Sequence, residues 1–531
     1  MTTPSAPRVL VVDNDPRICQ LLIINLSKFG YDVRSVAGNG AQILEEAVIV
    51  AQAFRPHVAI VDLRLVDDFV DERSGLDLLP DLNSARCILF SAHLEADVTL
   101  TAARVHNAFA WVDKYRPERL YAAVARATQE ASAESRAITI QWPRHWARDE
   151  MVRRLFADSN NLPHSSILDD MVAQLFTDNQ QFRPVAVNDD SNGLRSVVRG
   201  RSAVIKIYPD ELEPKVLKLG NAARLAEEDQ RYRQYVKDQM PGLHATQLEQ
   251  RVNFWDLGGA VYSFIGSSQQ LLPTFAMHYA TAPTIEALVE PLRHFFQVVW
   301  RNYYERKRPA TFPSLYAAYD EVFHLETRLP QIDQSLLPEL RSHIALPVHN
   351  PSAWLQRFAP ASIIPTAQQA VTHGDLHGDN LFVEGDRAWI IDFERTGPGH
   401  ALRDFIELEA DIFTRLVDGQ RVEWSTLLAL ALALVEPRSP TSLLPVDPAL
   451  RANTEADKAR AVIQEIRQLA HTAVGHQDQR EYLWGLLLDA LFIAAVGTMP
   501  RAQRLRAMLL STVICARLEG WDESNNKLAA G

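Results

Sequence analysis

Short apolar runs alternate with helical patterns over the first 133 residues of the chain. Runs such as VLVV and VAIV lack polar alternation, which predicts strands that are buried on both faces of a parallel sheet covered by helices. Five β/α units of this kind follow one another between Arg8 and Ala133. In such a sheet, ligands bind beyond the carboxyl ends of the strands. The polar residues at those ends are Asp13, Asn14, Asp15, Asp62, Ser91 and Lys114.

These side chains suit the binding of a cation and a phosphoryl group. Clustered carboxylates favour a hard cation such as Mg²⁺, which takes a few protein oxygens and keeps waters for a phosphoryl group. A lysine beside them, Lys114, can neutralise a phosphoryl oxygen. The sequence therefore predicts a magnesium-dependent phosphoryl site at one edge of the first sheet.

The same residues in the same order resemble the receiver domain of two-component response regulators. The resemblance covers residues 8–130 and implies an α/β domain with a five-stranded, doubly wound parallel sheet of the flavodoxin-like type. It also implies that a sensor histidine kinase supplies the phosphoryl group. The roles that it assigns are phosphoacceptor and metal ligand for Asp62, metal ligand for Asp13 and Asn14, switch hydroxyl for Ser91, ion-pair partner for Lys114 and switch aromatic for Trp111.

Two positions depart from the usual receiver pattern. Receivers usually carry two consecutive acids after the first strand, whereas Asp13 is followed by Asn14, whose amide oxygen can bind a metal but brings no charge. Asp15 is a second source of charge there, and Tyr115 stands where a proline usually follows the lysine. The alternative to a phosphorylated receiver is a receiver that only docks.

A second constellation lies in HGDLHGDNLFVEGDRAWIIDFE, residues 373–394. The pattern predicts strands separated by short loops, so that Asp375, Asn380 and Asp392 lie on or beside a hairpin-like turn. Phosphoryl transfer from ATP needs a carboxylate that receives or orients the acceptor hydroxyl, and oxygen ligands that hold Mg²⁺ across the phosphates. The stretch therefore predicts phosphotransferase chemistry.

This stretch resembles the catalytic and metal-binding loops of the aminoglycoside phosphotransferase and choline kinase group, relatives of the protein kinases. Their loop reads His-Gly-Asp-Leu-His-x-x-Asn, and residues 373–380 match it completely. The resemblance implies that Asp375 is the catalytic base and that Asn380 and Asp392 bind Mg²⁺. It also implies that His373 braces the loop and that Asp404, on a following helix, holds it.

A kinase-like fold also needs an upstream lobe that binds ATP. GRSAVIKIY and PKVLKLG predict two strands, and Lys218 on the second is expected to pair with the phosphates. Glu228 on the next helix is expected to orient that lysine, with Glu227 as the adjacent alternative. The phosphate loop contains only two glycines, Gly193 and Gly200, of which Gly200 is the expected nucleotide contact.

The resemblance thus implies an α+β, two-lobed, protein-kinase-like domain after the receiver. The expected boundaries place a linker with helices at 131–182, the nucleotide lobe at 183–270, and a mostly helical lobe with the catalytic loop and acceptor region at 271–525.

The composition and net charge of the chain indicate which classes of binding partner it can have. The chain carries 54 basic and 66 acidic residues, and its net charge of −12 disfavours nucleic acid, and with it a DNA-binding regulator. Three cysteines in 531 residues indicate a reducing, cytoplasmic setting. The apolar stretch YLWGLLLDALFIAAVGTM has Asp489 at its centre, which favours a buried helix over a membrane span.

These observations predict a cytoplasmic signalling enzyme. The receiver would control an ATP- and Mg²⁺-dependent phosphotransferase whose acceptor is a hydroxyl of a small molecule or a protein. The alternative is a catalytically inactive, kinase-like module that binds nucleotide or serves as a scaffold gated by the receiver.

Overall fold

The chain forms two compact units in a computed structural model. Unit 1 comprises Met1–Glu227 and Gln247–Leu271, and unit 2 comprises Glu228–Thr246 and Leu272–Gly531. The structure describes residues 6–67, 69, 72–92, 107–133, 140–142, 148–157, 162–176, 185–187, 197–199, 202–208, 214–240, 244–264, 272–344, 350–437 and 439–529.

Unit 1 begins with a five-stranded parallel sheet in the order β2-β1-β3-β4-β5. Its strands are β1 (Arg8–Asp13), β2 (Asp32–Ala37), β3 (Val58–Val61), β4 (Arg86–Ser91) and β5 (Ala110–Asp113). Its helices are α1 (Pro16–Lys28), α2 (Gln42–Phe54), α3 (Ser74–Leu78) and α4 (Glu118–Ala131). All four residues of β3 are buried, as expected for a strand with helices on both faces. This strand order is the flavodoxin-like one.

A second, mainly antiparallel sheet follows in unit 1, in the order β11-β12-β10-β9-β7-β6, with β8 pairing with β9. Its strands are β6 (Ile140–Gln141), β7 (Val185–Val187), β8 (Val197–Arg199), β9 (Ser202–Tyr208), β10 (Lys215–Asn221), β11 (Leu248–Phe254) and β12 (Leu257–Ser263). The connecting helices are α5 (Arg148–Leu155) and α6 (Ser166–Leu175). They share one apolar core with β9, β10 and β12.

Helix α7 (Ala222–Arg231) begins in unit 1 and ends in unit 2, which is mostly helical. The next helices are α8 (Phe275–Thr281), α9 (Ile285–His294), α10 (Arg301–Glu305), α11 (Leu315–Phe323), α12 (Leu325–Arg328), α13 (Leu336–His343) and α14 (Pro351–Phe358). After the strands come α15 (Arg403–Asp411), α16 (Trp424–Val435), α17 (Pro448–Ala452), α18 (Thr454–Val474), α19 (Gln479–Ala495) and α20 (Arg501–Ala529). Turns of π-helix extend α7, α9 and α15 over Tyr232–Val236, Phe295–Val299 and Ile412–Leu416.

Two small sheets of unit 2 carry the candidate catalytic loop. One has the order β13-β14-β17 and the other is the hairpin β15-β16. The strands are β13 (Arg308–Pro309), β14 (Gln368–Thr372), β15 (Leu381–Glu384), β16 (Arg387–Ile390) and β17 (Gly397–His400). The hairpin closes through a two-residue turn that begins at Gly385, whose φ of +60° suits glycine. The strands thereby fix both ends of the segment that contains Asp375 and Asn380.

The apolar stretch around Asp489 forms α19, and nearly all of its residues are buried, as the sequence predicts for a core helix. Among the helices within the described ranges, none is both long enough and apolar enough to cross a membrane.

Candidate functional sites

The carboxyl edge of the first sheet brings a lysine onto two carboxylates. Lys114 directly follows β5, and its Nζ lies 2.7 Å from an oxygen of Asp62 and 2.7 Å from an oxygen of Asp13. Both acids are almost completely buried, and so is Ser91 at the end of β4. The backbone N–H of Lys114 donates to the carbonyl of Ser91 at 3.1 Å. Four strand ends thus contribute to one polar cluster.

Within this cluster, burial and the neighbouring charges shift pKa values in opposite directions. Burial raises the pKa of Asp13 above its ordinary value, although Lys114 acts in the other direction. Burial alone would lower the pKa of Lys114, but the carboxylates of Asp62 and Asp13 outweigh it and raise the pKa. The ammonium group therefore stays charged between two acids, where a divalent cation or a phosphoryl group would meet both signs of charge.

The remaining predicted receiver residues lie near the cluster in sequence but have different surroundings. Asn14 follows Asp13 directly and is half-buried, whereas Asp15 caps α1 by accepting from the N–H of Arg17 at 2.9 Å. Trp111 in β5 is 48% exposed.

One residue of this edge was not predicted from the sequence. Gly75, at the start of α3, lies so close to the chain that an added Cβ would be 1.9 Å from the carbonyl oxygen of Asp62. Its N–H also donates to the carbonyl of Leu63 at 2.9 Å. Only glycine allows this approach, so Gly75 fixes the backbone that presents Asp62.

In unit 2, the segment between β14 and β15 presents Asp375 and Asn380. The Asn380 side-chain amide donates to the carbonyl of Asp375 at 2.9 Å, which leaves its side-chain oxygen for another contact. The ring of His373 donates from Nε2 to the carbonyl of Ile391 at 2.9 Å. His373 is completely buried, so this bond braces the segment against the chain that leads to Asp392.

An arginine partners the Asp375 carboxylate. Nη1 of Arg395 lies 3.0 Å from Oδ1, and Nε2 of His377 lies 3.9 Å from Oδ2. Burial alone would raise the pKa of Asp375, but Arg395 and the nearby histidines lower it to about 2. The carboxylate, which is 32% exposed, is therefore ionised at neutral pH and can accept a hydrogen bond from an acceptor hydroxyl.

Three acids on one face of α15 hold the backbone of this segment. Asp404 accepts from the N–H groups of His373 at 3.0 Å and Gly374 at 2.9 Å. One turn further along, Glu407 accepts from the N–H of Leu376 at 2.7 Å, and Asp411 accepts from that of Gly378 at 2.8 Å. The spacing of three and four residues places these acids on the same side of the helix. The helix therefore supports the segment along its length.

Asp392 lies in an acidic cluster that the sequence does not indicate. Carboxylate oxygens of Glu228, Asp392 and Glu394 lie within 4.8 Å of one another, and Glu228 is buried. Asp392 also adopts a φ of +67°, a left-handed conformation that is uncommon for residues other than glycine. Divalent cations take oxygen ligands of this kind, so Asp392 could hold such an ion, with the carboxylates of Glu228 and Glu394 next to it.

The predicted nucleotide residues of unit 1 are only partly described. Lys218 is buried in the middle of β10, where it pairs in register with Ala260 of β12 and Val204 of β9. Gly200, together with Gly193, lies outside the described residues.

The sequence interpretation missed Arg395, which contacts the carboxylate of Asp375, and Glu407 and Asp411, which accept from the backbone N–H groups of Leu376 and Gly378. Arg395 lies one residue beyond the stretch 373–394 and three residues after Asp392. The acids of α15 are visible in the sequence as Asp404, Glu407 and Asp411, whose helical spacing was a signal for a shared face.

The topology defines a doubly wound α/β fold with the flavodoxin-like strand order, followed in the same chain by a mainly antiparallel sheet and a mostly helical unit. Within the second part, residues 324–500 match the family model described as ternary complex associated domain 9. No curated protein matches the chain.

Several solved structures are similar to parts of the chain. Aminoglycoside phosphotransferase APH(3'')-Id from Streptomyces rimosus has 17% identity and a TM-score of 0.33, over 56% of this chain and 92% of that one. A thermostable mutant of aminoglycoside phosphotransferase APH(4)-Ia, in a ternary complex with ADP and hygromycin B, has 12% identity and a TM-score of 0.35, over 62% and 95%. A two-component response regulator from Clostridium difficile has 20% identity and a TM-score of 0.20, over 23% and 96%.

Proposed function

We propose that the chain is a cytoplasmic two-component signalling protein in which a phosphorylated receiver controls an ATP- and Mg²⁺-dependent phosphotransferase. The observation that carries the proposal is the Asp375 carboxylate, ionised beside Arg395 on a segment whose backbone is held by the acids of α15. A base with a fixed position and a fixed charge is what transfer to a hydroxyl needs. The acceptor is a hydroxyl group of a small molecule or a protein.

In this proposal, unit 2 supplies the base and the metal ligands. Asp375 orients the acceptor hydroxyl and takes up its proton as the hydroxyl oxygen attacks the γ-phosphorus of ATP. The bond between that phosphorus and the β–γ bridging oxygen breaks, and ADP leaves. Asn380 and Asp392 would hold Mg²⁺, and the ion would supply positive charge next to the phosphates. The oxygen that Asn380 keeps available and the carboxylates beside Asp392 support this assignment. Lys218 and Gly200 of unit 1 bind the ATP phosphates, and Glu228 assists Lys218.

The receiver takes its phosphoryl group on Asp62 from a sensor histidine kinase. Asp13 and Asn14 bind Mg²⁺ with Asp62, and Lys114 pairs with a phosphoryl oxygen. The 2.7 Å contacts of Lys114 with both acids support this arrangement, because the ammonium lies where the added charge would arrive. Ser91 follows the phosphoryl group and Trp111 changes rotamer. Phosphorylation of Asp62 would thereby be converted into a change of the domain surface.

The direct test compares Asp375→Asn with the native protein in Mg²⁺-dependent ATP turnover. General-base catalysis contributes about 10²- to 10⁴-fold, so we expect turnover to fall by about 10³-fold. ADP affinity, measured by calorimetry, should stay unchanged because Asp375 does not hold the nucleotide. Asp379→Asn is the matched control, since this acid of the same segment pairs with Arg415 at 3.0 Å. Turnover that survives in Asp375→Asn would overturn the proposal.

A further inference from the structure

Within unit 1, the turn that enters β3 contacts the turn between β11 and β12. Nε and Nη2 of Arg55 each donate to a different carboxylate oxygen of Asp256, both at 2.8 Å. The indole Nε1 of Trp255 donates to the carbonyl of Pro56 at 3.0 Å. A bidentate arginine–carboxylate pair is geometrically specific, so these two turns have one preferred arrangement.

A second contact lies deeper, at His57. Its Nδ1 accepts from the N–H of Arg8 at 2.8 Å, so the ring proton is on Nε2, which lies 2.6 Å from an oxygen of Asp170. The other oxygen of Asp170 accepts from the N–H of Ala133 at 3.0 Å. His57 is 1% exposed and Asp170 is 4% exposed. We call the set Arg55, Pro56, His57, Asp170, Trp255 and Asp256 the joint.

Apolar packing surrounds these polar contacts. Trp255 packs against the core of the first sheet and also against the core of the second. The ring of His57 stacks on Phe254 with centroids 5.4 Å apart, and the Arg55 guanidinium lies 5.0 Å from the centre of the Phe156 ring. A buried polar pair in such surroundings contributes little net stability but favours one geometry, because any slip would leave a buried group unpaired.

The joint and the phosphoacceptor occupy opposite ends of one strand. His57 immediately precedes β3 and Asp62 immediately follows it, which separates them by about 16 Å of extended chain. Because β3 is buried between β1 and β4, it has little freedom to absorb a displacement at either end. A change at Asp62 therefore has a short, stiff route to His57.

On the far side, Asp170 belongs to α6, which packs directly on β12. An added Cβ at Gly259 would lie 2.6 Å from the sulfur of Met171, so helix and strand approach as closely as a glycine allows. The neighbouring Ala260 pairs in register with Lys218 of β10. The joint is thus connected through α6 and β12 to the strand that carries the proposed phosphate-binding lysine.

We propose that the joint is the intramolecular surface through which the receiver acts on the sheet that carries Lys218. This inference rests on the proposed function and adds the path by which a change at Asp62 reaches Lys218. The path runs through β3, the His57–Asp170 pair, α6 and β12. The turn that precedes β3 in the receiver therefore binds the second sheet of the same unit. Because coupling between two sites is reciprocal, nucleotide binding at the second sheet acts back on β3 through the same contacts.

Hydrogen exchange of the full chain tests the route, with acetyl phosphate as the phosphodonor in the presence of Mg²⁺. We expect the donor to change amide exchange in residues 166–175 and 248–263 by about fivefold or more, the lower end of allosteric couplings. The change should disappear in Asp170→Asn and in Asp256→Asn. Asp256 is 42% exposed, so its variant should fold even where loss of the buried Asp170 charge prevents folding.

Glu249→Gln is the matched control, because Glu249 pairs with Lys215 at 2.7 Å on the same sheet but away from the joint. This variant should keep the response. A response that persists in Asp256→Asn, or exchange changes confined to residues 8–130, would overturn the inference. ATP turnover is measured separately. If the donor changes amide exchange in the second sheet but the protein does not turn over ATP, the proposed function is wrong and the role of the joint stands. If the protein turns over ATP but exchange in the second sheet does not change, the role of the joint is wrong and the proposed function stands.

Discussion

At the scale of single residues, the pair of Asp375 and Arg395 decides how the candidate catalytic site behaves. The 3.0 Å contact keeps the carboxylate charged, and the pKa of about 2 means that it titrates far below neutral pH. A base this weak would orient the acceptor hydroxyl and take its proton late, as bond formation to phosphorus makes the hydroxyl more acidic. The guanidinium thus keeps the Asp375 carboxylate ionised down to acid pH.

Arg395→Gln should move the acid limb of the pH profile of ATP turnover upward by one unit or more. With the cation removed, burial remains as the main influence and raises the pKa of Asp375, because an opposite charge at this distance lowers a carboxyl pKa by about 1–3 units. The native protein should show no such limb above about pH 4. Arg415→Gln, which removes a guanidinium that pairs with Asp379 and Asp411, is the control. Identical profiles for Arg395→Gln and the native protein would contradict this account.

At this scale, the sequence predicts which side chains lie close together where each of them follows the end of a strand. Asp13, Asp62 and Lys114 could be brought together from strand order alone, because parallel strands deliver their carboxyl ends to a single edge. The Arg395 contact could not, because it depends on how the chain turns back after Phe393. Likewise, the closeness of Glu228 to Asp392 and Glu394 could not be predicted, because Glu228 is far from both of them in the sequence.

At the scale of elements, α15 supports the segment that contains Asp375. Its buried acids accept backbone N–H groups that would otherwise be unpaired, since a loop that curves around a site cannot satisfy itself. Gly374 fits the same arrangement: it has a φ of +78°, and an added Cβ would lie 2.5 Å from the carbonyl oxygen of Arg395. The sequence shows the helical spacing of these acids, but it does not show which backbone N–H groups they accept from.

Asp404→Ala should lower the free energy of unfolding by about 3 kcal/mol or more, because each buried group left unpaired costs about 1–3 kcal/mol. The variant loses the acceptor for His373, for Gly374 and for the hydroxyl of Tyr304 at 2.8 Å. Tyr304→Phe, which removes only that hydroxyl bond, should cost about 1 kcal/mol. Urea unfolding of both variants measures the difference. Equal losses would show that Asp404 does not support the loop backbone.

At the scale of the whole molecule, the chain places an aspartate beside a cationic side chain in each of two different folds. Asp62 lies beside Lys114 in the first fold, and Asp375 lies beside Arg395 in the second. The class of each fold could be predicted from local sequence patterns. The contacts of the joint could not be predicted, because His57 and Asp170 are 113 positions apart and neither belongs to a motif.

The most direct test of the account is Mg²⁺-dependent ATP turnover by the native protein, with and without acetyl phosphate, beside Asp62→Ala. We expect acetyl phosphate to shift native turnover by about fivefold or more, and we expect Asp62→Ala to turn over ATP with no response to the donor. Asp67→Ala, which removes a half-buried carboxylate of the same loop, is the control and should respond as the native protein does. Turnover that is absent in all three proteins, or a donor response that survives in Asp62→Ala, would contradict a receiver-controlled phosphotransferase.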